Sequence, residues 1–229
     1  MNLDKGAARV AIVIPAFNEE GVISAVVSGV STYGTTIVVD DGSTDDTEYA
    51  ARSAGALVIS HEVNRGYDYA LATGLERAIA DNFDFVITVD GDGQHEPERI
   101  HDFINELLCG ADVVVGIRDR FQRISETVFA GIAKIIWGIS DPLCGMKGYR
   151  LSKLNAIGDF CSYRSIGTEI VIRAARSGWG VRQLSVKTRD RKDGSRFGAG
   201  FLANWLIFRA LLLGLLRAKA YPLKPKVFV

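Results

Sequence analysis

The chain has 229 residues, 48% of them hydrophobic, and its 27 Lys and Arg balance 27 Asp and Glu. That size and apolar share allow one domain with an ample core, and they exclude a disordered chain or a small disulfide-stapled scaffold. The neutral total hides two poles: residues 1–116 carry 6 Lys and Arg against 20 Asp and Glu, and residues 117–229 carry 21 against 7.

An acidic half suits a metal ion, and a basic half suits phosphates or an anionic bilayer. The plainer alternative is that the halves simply attract each other across the fold. A nucleic-acid partner is not expected. Cys109, Cys144 and Cys161 follow no metal-ligand spacing, which fits a reducing compartment and ordinary packing. The opening MNLDKGAARVAIVIP lacks the pattern of an export signal, so a cytoplasmic location is expected.

Four β-branched runs come first: RVAIVIPAF, TTIVVDDGS, ALVISHE and FDFVITVDGDG. Each reads as a buried strand ending in polar residues, with amphipathic stretches at 18–31, 44–54 and 66–81 between them. This alternation predicts a parallel, doubly wound α/β sheet whose ligands collect at the carboxyl ends of the strands. A helix over 96–108 opens with Glu96 and Pro97, and the strand ADVVVGIR follows. Beyond it the sequence predicts a helix near 124–139, a loop SDPLCGMKGYR, a helix near 166–177 and a strand near 180–188. No linker separates the halves, so they are expected to share one sheet.

Residues 201–216, FLANWLIFRALLLGLL, are the most apolar stretch. The run is shorter than the roughly 20 residues that span a bilayer, and Arg209 interrupts it. An interfacial helix aided by Phe201, Trp205 and the basic residues Arg196, Arg217, Lys219, Lys224 and Lys226 is one reading. A dimer-forming or core helix is the other. Residues 1–200 are then the main domain, and 201–229 an appended apolar helix with a basic tail.

The sharpest chemical signal is VDGDGQH. Asp90 and Asp92 lie two apart at a strand end, where both carboxylates and the Gln94 amide oxygen can converge on a hard cation such as Mg2+ or Mn2+. Gly91 and Gly93 let the backbone bend there. Read as structure alone, the same residues make a Gly-rich turn with an Asp cap. In VVDDGSTDDT, a cap from Ser43 or Thr44 with Asp45 and Asp46 at the helix start explains most of the acids. Asp40 and Asp41 need another reason, and Asp41 is assigned as acceptor for a nucleobase or ribose. In PAFNEE, Pro15 stiffens the strand exit, Phe17 offers a face for a base and Glu19 an acceptor, while Asn18 is a candidate helix cap.

Taken in order, PAFNEE, VVDDGSTDDT, NRGYDYALATGL, DGDGQH, GIR and DPLCGMKGYR resemble family 2 glycosyltransferases of the GT-A fold. Within that family the chain is most similar to dolichol-phosphate mannose synthases and bacterial polyprenyl-phosphate glycosyltransferases. The resemblance covers residues 9–198. It implies that Pro15, Phe17, Glu19, Val39 and Asp41 bind the nucleoside, that Asp90, Asp92 and Gln94 hold the metal, and that Gly91 lies against the donor. Arg118 matches an arginine that approaches the phosphates. Such synthases usually have Tyr at Phe17 and Ala at Gly91, and both changes look tolerable. Their late Arg…Gly-Ser…Lys motif here reads RKDGSRF, with Arg191, Gly194, Ser195 and Arg196, so the second cation is Arg and sits one residue early.

The resemblance implies a donor that is a nucleotide diphosphate sugar and an acceptor that is a lipid phosphate or lipid-linked glycan, met at the inner face of a membrane. A lipid phosphate is already anionic and needs no general base, only cations such as Arg118, Arg123, Arg191 and Arg196. A sugar hydroxyl would need a carboxylate, for which Asp141 and Glu169 are candidates. Either way a single inverting displacement is expected, since no residue is clearly placed as a covalent nucleophile. His95 is a candidate for holding the diphosphate; His61 and His101 read as surface or capping residues. Two rivals remain: a sugar-phosphate nucleotidyltransferase, which would want a Gly-rich, Arg-containing first loop, and a non-catalytic nucleotide-sugar-binding protein.

Overall fold

The computed structural model describes residues 8–121, 123–157, 165–188 and 201–216. Its centre is a seven-stranded sheet in the order Leu57–Ser60 (β3), Thr35–Asp40 (β2), Val10–Ala16 (β1), Phe85–Thr88 (β4), Lys147–Arg150 (β6), Val113–Arg118 (β5) and Val181–Val186 (β7). The strand β1 (Val10–Ala16) alternates two buried faces. Ile12, Ile14 and Ala16 point to one side and Ala11 and Val13 to the other, as the two-residue repeat of a strand requires. β1 runs parallel to β2 (Thr35–Asp40) and β4 (Phe85–Thr88), and β3 (Leu57–Ser60) extends the sheet from β2.

Helices cover both faces. α1 (Ile23–Val30), α2 (Thr47–Ser53) and α4 (Arg99–Leu108) bury Ile23, Val27, Ala51, Ile100 and Phe103 on the Ile12/Ile14 side. α3 (Tyr67–Ala80) buries Leu71 and Leu75 on the Ala11/Val13 side, together with Ile166 and Ile170 of α7 (Ile166–Arg176). The expected strand-helix alternation therefore stands, with helix starts shifted a few residues inward.

Two elements were missed. The end of SDPLCGMKGYR is no loop: Lys147–Arg150 forms β6, antiparallel to both β4 and β5 (Val113–Arg118) and inserted between them. A short helix, α6 (Leu151–Ile157), follows it directly. β7 (Val181–Val186) then pairs parallel with β5, so both halves share one sheet.

Capping also differs from expectation. The N-terminal neighbour of α2 is Asp46, without a side-chain cap bond, whereas Asp45 accepts the Thr47 N–H at 3.1 Å. Asn18 does not cap α1. It adopts φ 52° and accepts the Thr44 N–H at 2.8 Å, lacing the first strand exit to the second. Among the cysteines, Cys144 is buried but Cys109 is exposed, so ordinary packing describes only the former; Cys161 lies outside the described residues.

Among its described side chains, α8 (Phe201–Leu216) packs through Ala210 and Leu211. These meet Phe129 and Ala133 of α5 (Ile124–Trp137) and Ile172 of α7. Phe208, Leu212, Leu215 and Leu216 stay exposed. Among the described residues no helix is long and apolar enough to cross a membrane.

Candidate active site

The carboxyl ends of β1, β2 and β4 lie side by side, and the acidic motifs follow directly. Asp41, just past β2, donates its N–H to Ala16 O at 2.8 Å, which places it beside Phe17. Its carboxylate is almost fully buried. Oδ1 accepts His61 Nδ1–H at 2.7 Å and the Arg65 N–H at 3.0 Å, and Oδ2 accepts the Gly66 N–H at 2.7 Å. His61, read as a surface or capping residue, instead tucks its nearly buried ring against Asp41, and its Nε2 meets the Thr73 hydroxyl at 3.0 Å.

Gly42 makes this latch possible. At φ +72° it lies so close to the loop that an added Cβ would come within 2.6 Å of Asn64 N. Neighbouring Asp40 accepts the Ser43 hydroxyl, and burial raises its pKa against that bond. Phe17 is half-exposed, as a stacking face requires, while Pro15 and Val39 face each other in register as buried residues. Val39 is 0% exposed and packs toward Gly74 of α3, so its side chain is not open to a ligand. Glu19 begins the turn into α1, its carbonyl accepting the Ile23 N–H at 2.9 Å and its own N–H reaching Thr47 Oγ1 at 2.7 Å.

Asp90 is the hub. Its Oδ1 accepts the Tyr67 hydroxyl at 3.0 Å and its Oδ2 pairs with His95 Nε2 at 3.1 Å. Burial alone would raise its pKa, but the hydrogen bond and charge of His95 and the Tyr67 hydroxyl outweigh burial and keep it lowered. Burial and the Asp90 charge together push the Tyr67 phenol up, which keeps it a donor. From the far half of the chain, Gly145 closes directly over this carboxylate, where any Cβ would collide. Lys147 lies buried nearby with Nζ donating to Cys144 O; burial lowers its pKa, opposed in part by the charges of Asp141 and Asp90.

Asp92 Oδ1 accepts the Gln94 N–H at 3.1 Å across the turn that Gly93 forms at φ +73°. Gly91 is tighter than expected. A Cβ there would sit 2.9 Å from Pro15 O, so the alanine of the resembling synthases would require the strand ends to shift in this chain. His95 forms a backbone bridge with Thr188, and its Nδ1 is buried without a partner among the described residues. Thr188 is fixed by Asp119 Oδ1, which accepts its N–H at 3.2 Å and its hydroxyl at 3.0 Å. Arg191 and Arg196, three and more residues on, lie outside the described residues.

The basic half carries a largely buried ion network of its own. Asp141 is 0% exposed and takes Arg118 on both oxygens, Nε at 2.8 Å and Nη2 at 3.0 Å. Glu126, at the start of α5, lies 3.3 Å from Arg118 and 3.2 Å from Arg123. The Asp141 hydrogen bond and charge raise the Arg118 pKa against its burial, so it stays a cation. Glu169 is also buried, 3.6 Å from Arg173.

Sequence reasoning missed Tyr67, Gly145 and Lys147, although all three lie inside motifs that it singled out. Glu126 and the inward role of His61 had no local signal, because both depend on partners across the chain.

The donors expected for a cation are all oxygens: two carboxylates and one amide at a single strand tip. Each Asp90 oxygen carries one hydrogen bond, from Tyr67 and His95 respectively, which leaves acceptor capacity on both. That chemistry fits a hard divalent ion. Among the described residues no three His, Cys, Asp or Glu side chains form a metal-holding group by themselves, so such an ion would draw further ligands from a diphosphate.

An α/β sheet with one antiparallel strand inserted beside an acidic strand tip defines a GT-A glycosyltransferase. The protein shares its fold with glucosyl-3-phosphoglycerate synthase from Mycobacterium tuberculosis, solved with Mn2+, uridine diphosphate and phosphoglyceric acid. The TM-score is 0.75 at 25% identity, over 93% of this chain and 79% of that one. The family model for glycosyl transferase family 2 matches residues 11–166, and the chain belongs to that family. It is 30% identical over 194 residues to a dolichyl-phosphate hexose transferase of Haloferax volcanii, covering 79% of this chain and 83% of the relative. It is 26% identical over 236 residues to the UDP-N-acetylglucosamine–dolichyl-phosphate N-acetylglucosaminyltransferase of Methanococcus voltae, covering 88% and 94%.

Proposed function

We propose that the protein moves a sugar, with inversion, from a nucleoside diphosphate sugar to a polyprenyl or dolichyl phosphate at a membrane surface. The observation that carries this reading is the closure of Gly145 over Asp90, which joins the acidic strand tip to the segment bearing Asp141 and its partner Arg118.

In this reading Phe17 stacks on the base and Asp41 accepts from it. Asp90, Asp92 and Gln94 hold Mg2+ or Mn2+, which when bound neutralises charge on the leaving diphosphate. Tyr67 and His95 keep the Asp90 carboxylate oriented and ionised. Arg118 and Arg123, held apart by Glu126, receive the acceptor phosphate, with Arg191 and Arg196 as further cations. That phosphate is anionic at neutral pH and attacks in line without a base. Asp141 then aims Arg118; it does not take a proton.

The surface supports a membrane acceptor. Ile124 and Ile135 of α5 are 85% and 86% exposed, and Val128 and Ile136 continue that apolar side. α8 packs against α5 and exposes Phe208, Leu212 and Leu216. Large apolar exposure beside basic residues is the pattern of a helix lying at a bilayer interface. Residues 201–229 would thus serve as a membrane contact appended to the domain formed by 1–200. Flotation with anionic vesicles should recover the wild type and lose Ile135→Glu. Sedimentation as a dimer that Ile135→Glu dissolves would assign the face to a second copy instead.

The reaction is tested by incubating labelled nucleotide sugars with a short-chain polyprenyl phosphate. The expected product releases its sugar in mild acid, as a glycosyl phosphate does; an acid-stable product would make the acceptor a hydroxyl.

A further inference from the structure

The hydrogen-bond occupancy of Asp41 bears on which nucleotide the cleft accepts. An ionised carboxylate has about four acceptor positions. Three are filled here, two on Oδ1 by His61 Nδ1–H and the Arg65 N–H, and one on Oδ2 by the Gly66 N–H. Among the described residues the fourth, on Oδ2, has no partner, and 4% of this side chain still meets solvent. The filled positions are not interchangeable with water. His61 is itself buried, its far nitrogen on Thr73, and the 63–66 loop is pressed onto Gly42.

The common bases differ at the edge that would meet this carboxylate. Uracil offers one N–H between two carbonyls. Guanine offers two adjacent donors, N1–H and the exocyclic amine, which pair naturally with both oxygens of a carboxylate. Cytosine offers an amine donor beside a ring nitrogen lone pair, and that lone pair repels a carboxylate. With Oδ1 closed by His61 and Arg65, one donor can be received and a second would be buried unpaired, at about 1–3 kcal/mol, or roughly tenfold to a hundredfold in affinity.

We infer that the donor carries a base with a single imide N–H between two carbonyls, uracil or its 5-methyl form, and that His61 is a positioning residue setting this choice by occupying the Asp41 oxygen that guanine would need. The inference rests on the proposed nucleotide-sugar reading and narrows it to that edge, with uridine diphosphate as its probe.

The test is calorimetric titration of the full chain with UDP, GDP and CDP in Mn2+. UDP should bind about tenfold or more tighter than GDP, with CDP weakest. His61→Phe removes the donor and frees Oδ1, so the gap between UDP and GDP should narrow severalfold. His61→Asn restores an N–H near the Nδ1 position and should restore the gap. A merely structural role would weaken all nucleotides together and leave their ratio unchanged. GDP binding as tightly as UDP to the wild type, or a ratio that His61→Phe does not move, overturns the inference while leaving a nucleotide-sugar enzyme intact. Failure of every nucleotide to bind removes both. Should His61→Phe not fold, the wild-type ranking alone decides.

Discussion

The two sides of the cleft satisfy their charges by different means. Beside β2, Asp41 and Asp45 are met by main-chain N–H groups, a hydroxyl and one imidazole, with no Lys or Arg at their oxygens among the described residues. Beside β5, Arg118 and Arg123 are met by Asp141 and Glu126, cation against anion. Dipoles hold a carboxylate in place without cancelling its charge, so the first side keeps its negative charge, as does the neighbouring tip that bears Asp90 and Asp92. Paired ions cancel, so the second side is nearly neutral at rest, and losing one member strands a buried charge. Removing an acid should therefore cost mainly function on the first side and mainly stability on the second.

The largest effect should come from Asp92→Ala. Loss of a carboxylate proposed to hold the metal is expected to lower sugar transfer by about a thousandfold or more, with an unchanged circular dichroism spectrum. A variant that keeps its rate would break the contrast on the acidic side. Asp141→Ala should act the other way, lowering unfolding free energy in urea by about 3–5 kcal/mol because Arg118, its side chain 15% exposed, is left with one of its two carboxylate partners. A loss under about 1 kcal/mol would mean the network is solvated and the comparison fails.

Gly91→Ala is a smaller and sharper probe. The contact of 2.9 Å with Pro15 O predicts about 1–3 kcal/mol of destabilisation, although the resembling synthases carry alanine there. An unchanged midpoint would show that the strand tips yield freely. The smallest effect is expected at Asp45. Burial works against its charge, but the Thr47 hydroxyl and N–H outweigh burial and hold its pKa below the ordinary 3.8. A lowered folded value contributes stability that is present above 3.8 and lost as pH falls through the lower value. Asp45→Ala should therefore cost about 1 kcal/mol at pH 7, and the difference from wild type should close in strong acid.

β1, β2 and β4 were legible because Ile and Val fill two buried faces, whereas β3, expected to be buried, lies at the sheet edge with Leu57 exposed and was legible only from its β-branched run. β6 was not. Its residues Lys147, Gly148, Tyr149 and Arg150 carry no apolar alternation, and they pair only because β4 and β5 stand on either side. Gly148 shows the reason for its composition: a Cβ there would come within 3.0 Å of Ile87 and 3.2 Å of Leu107, so the strand is chosen for thinness and not for β propensity.

The helix caps misled for a related reason. Ser43 looked like a cap for α2 but is held by Asp40, and Asn18 spans to Thr44. In the site, the acidic motifs could be read because their spacing along one turn is the signal. The Arg118–Asp141 pair joins residues 23 apart, and Glu126 reaches back to Arg118 from another element, so neither had a local mark.

The most direct measurement is a crystal of the protein with UDP and Mn2+. One ion should lie among Asp90, Asp92 and Gln94 and touch both phosphates, with Tyr67 and His95 still bonded to Asp90. Nucleotide bound with the ion absent, or with the ion on other ligands, would contradict the account.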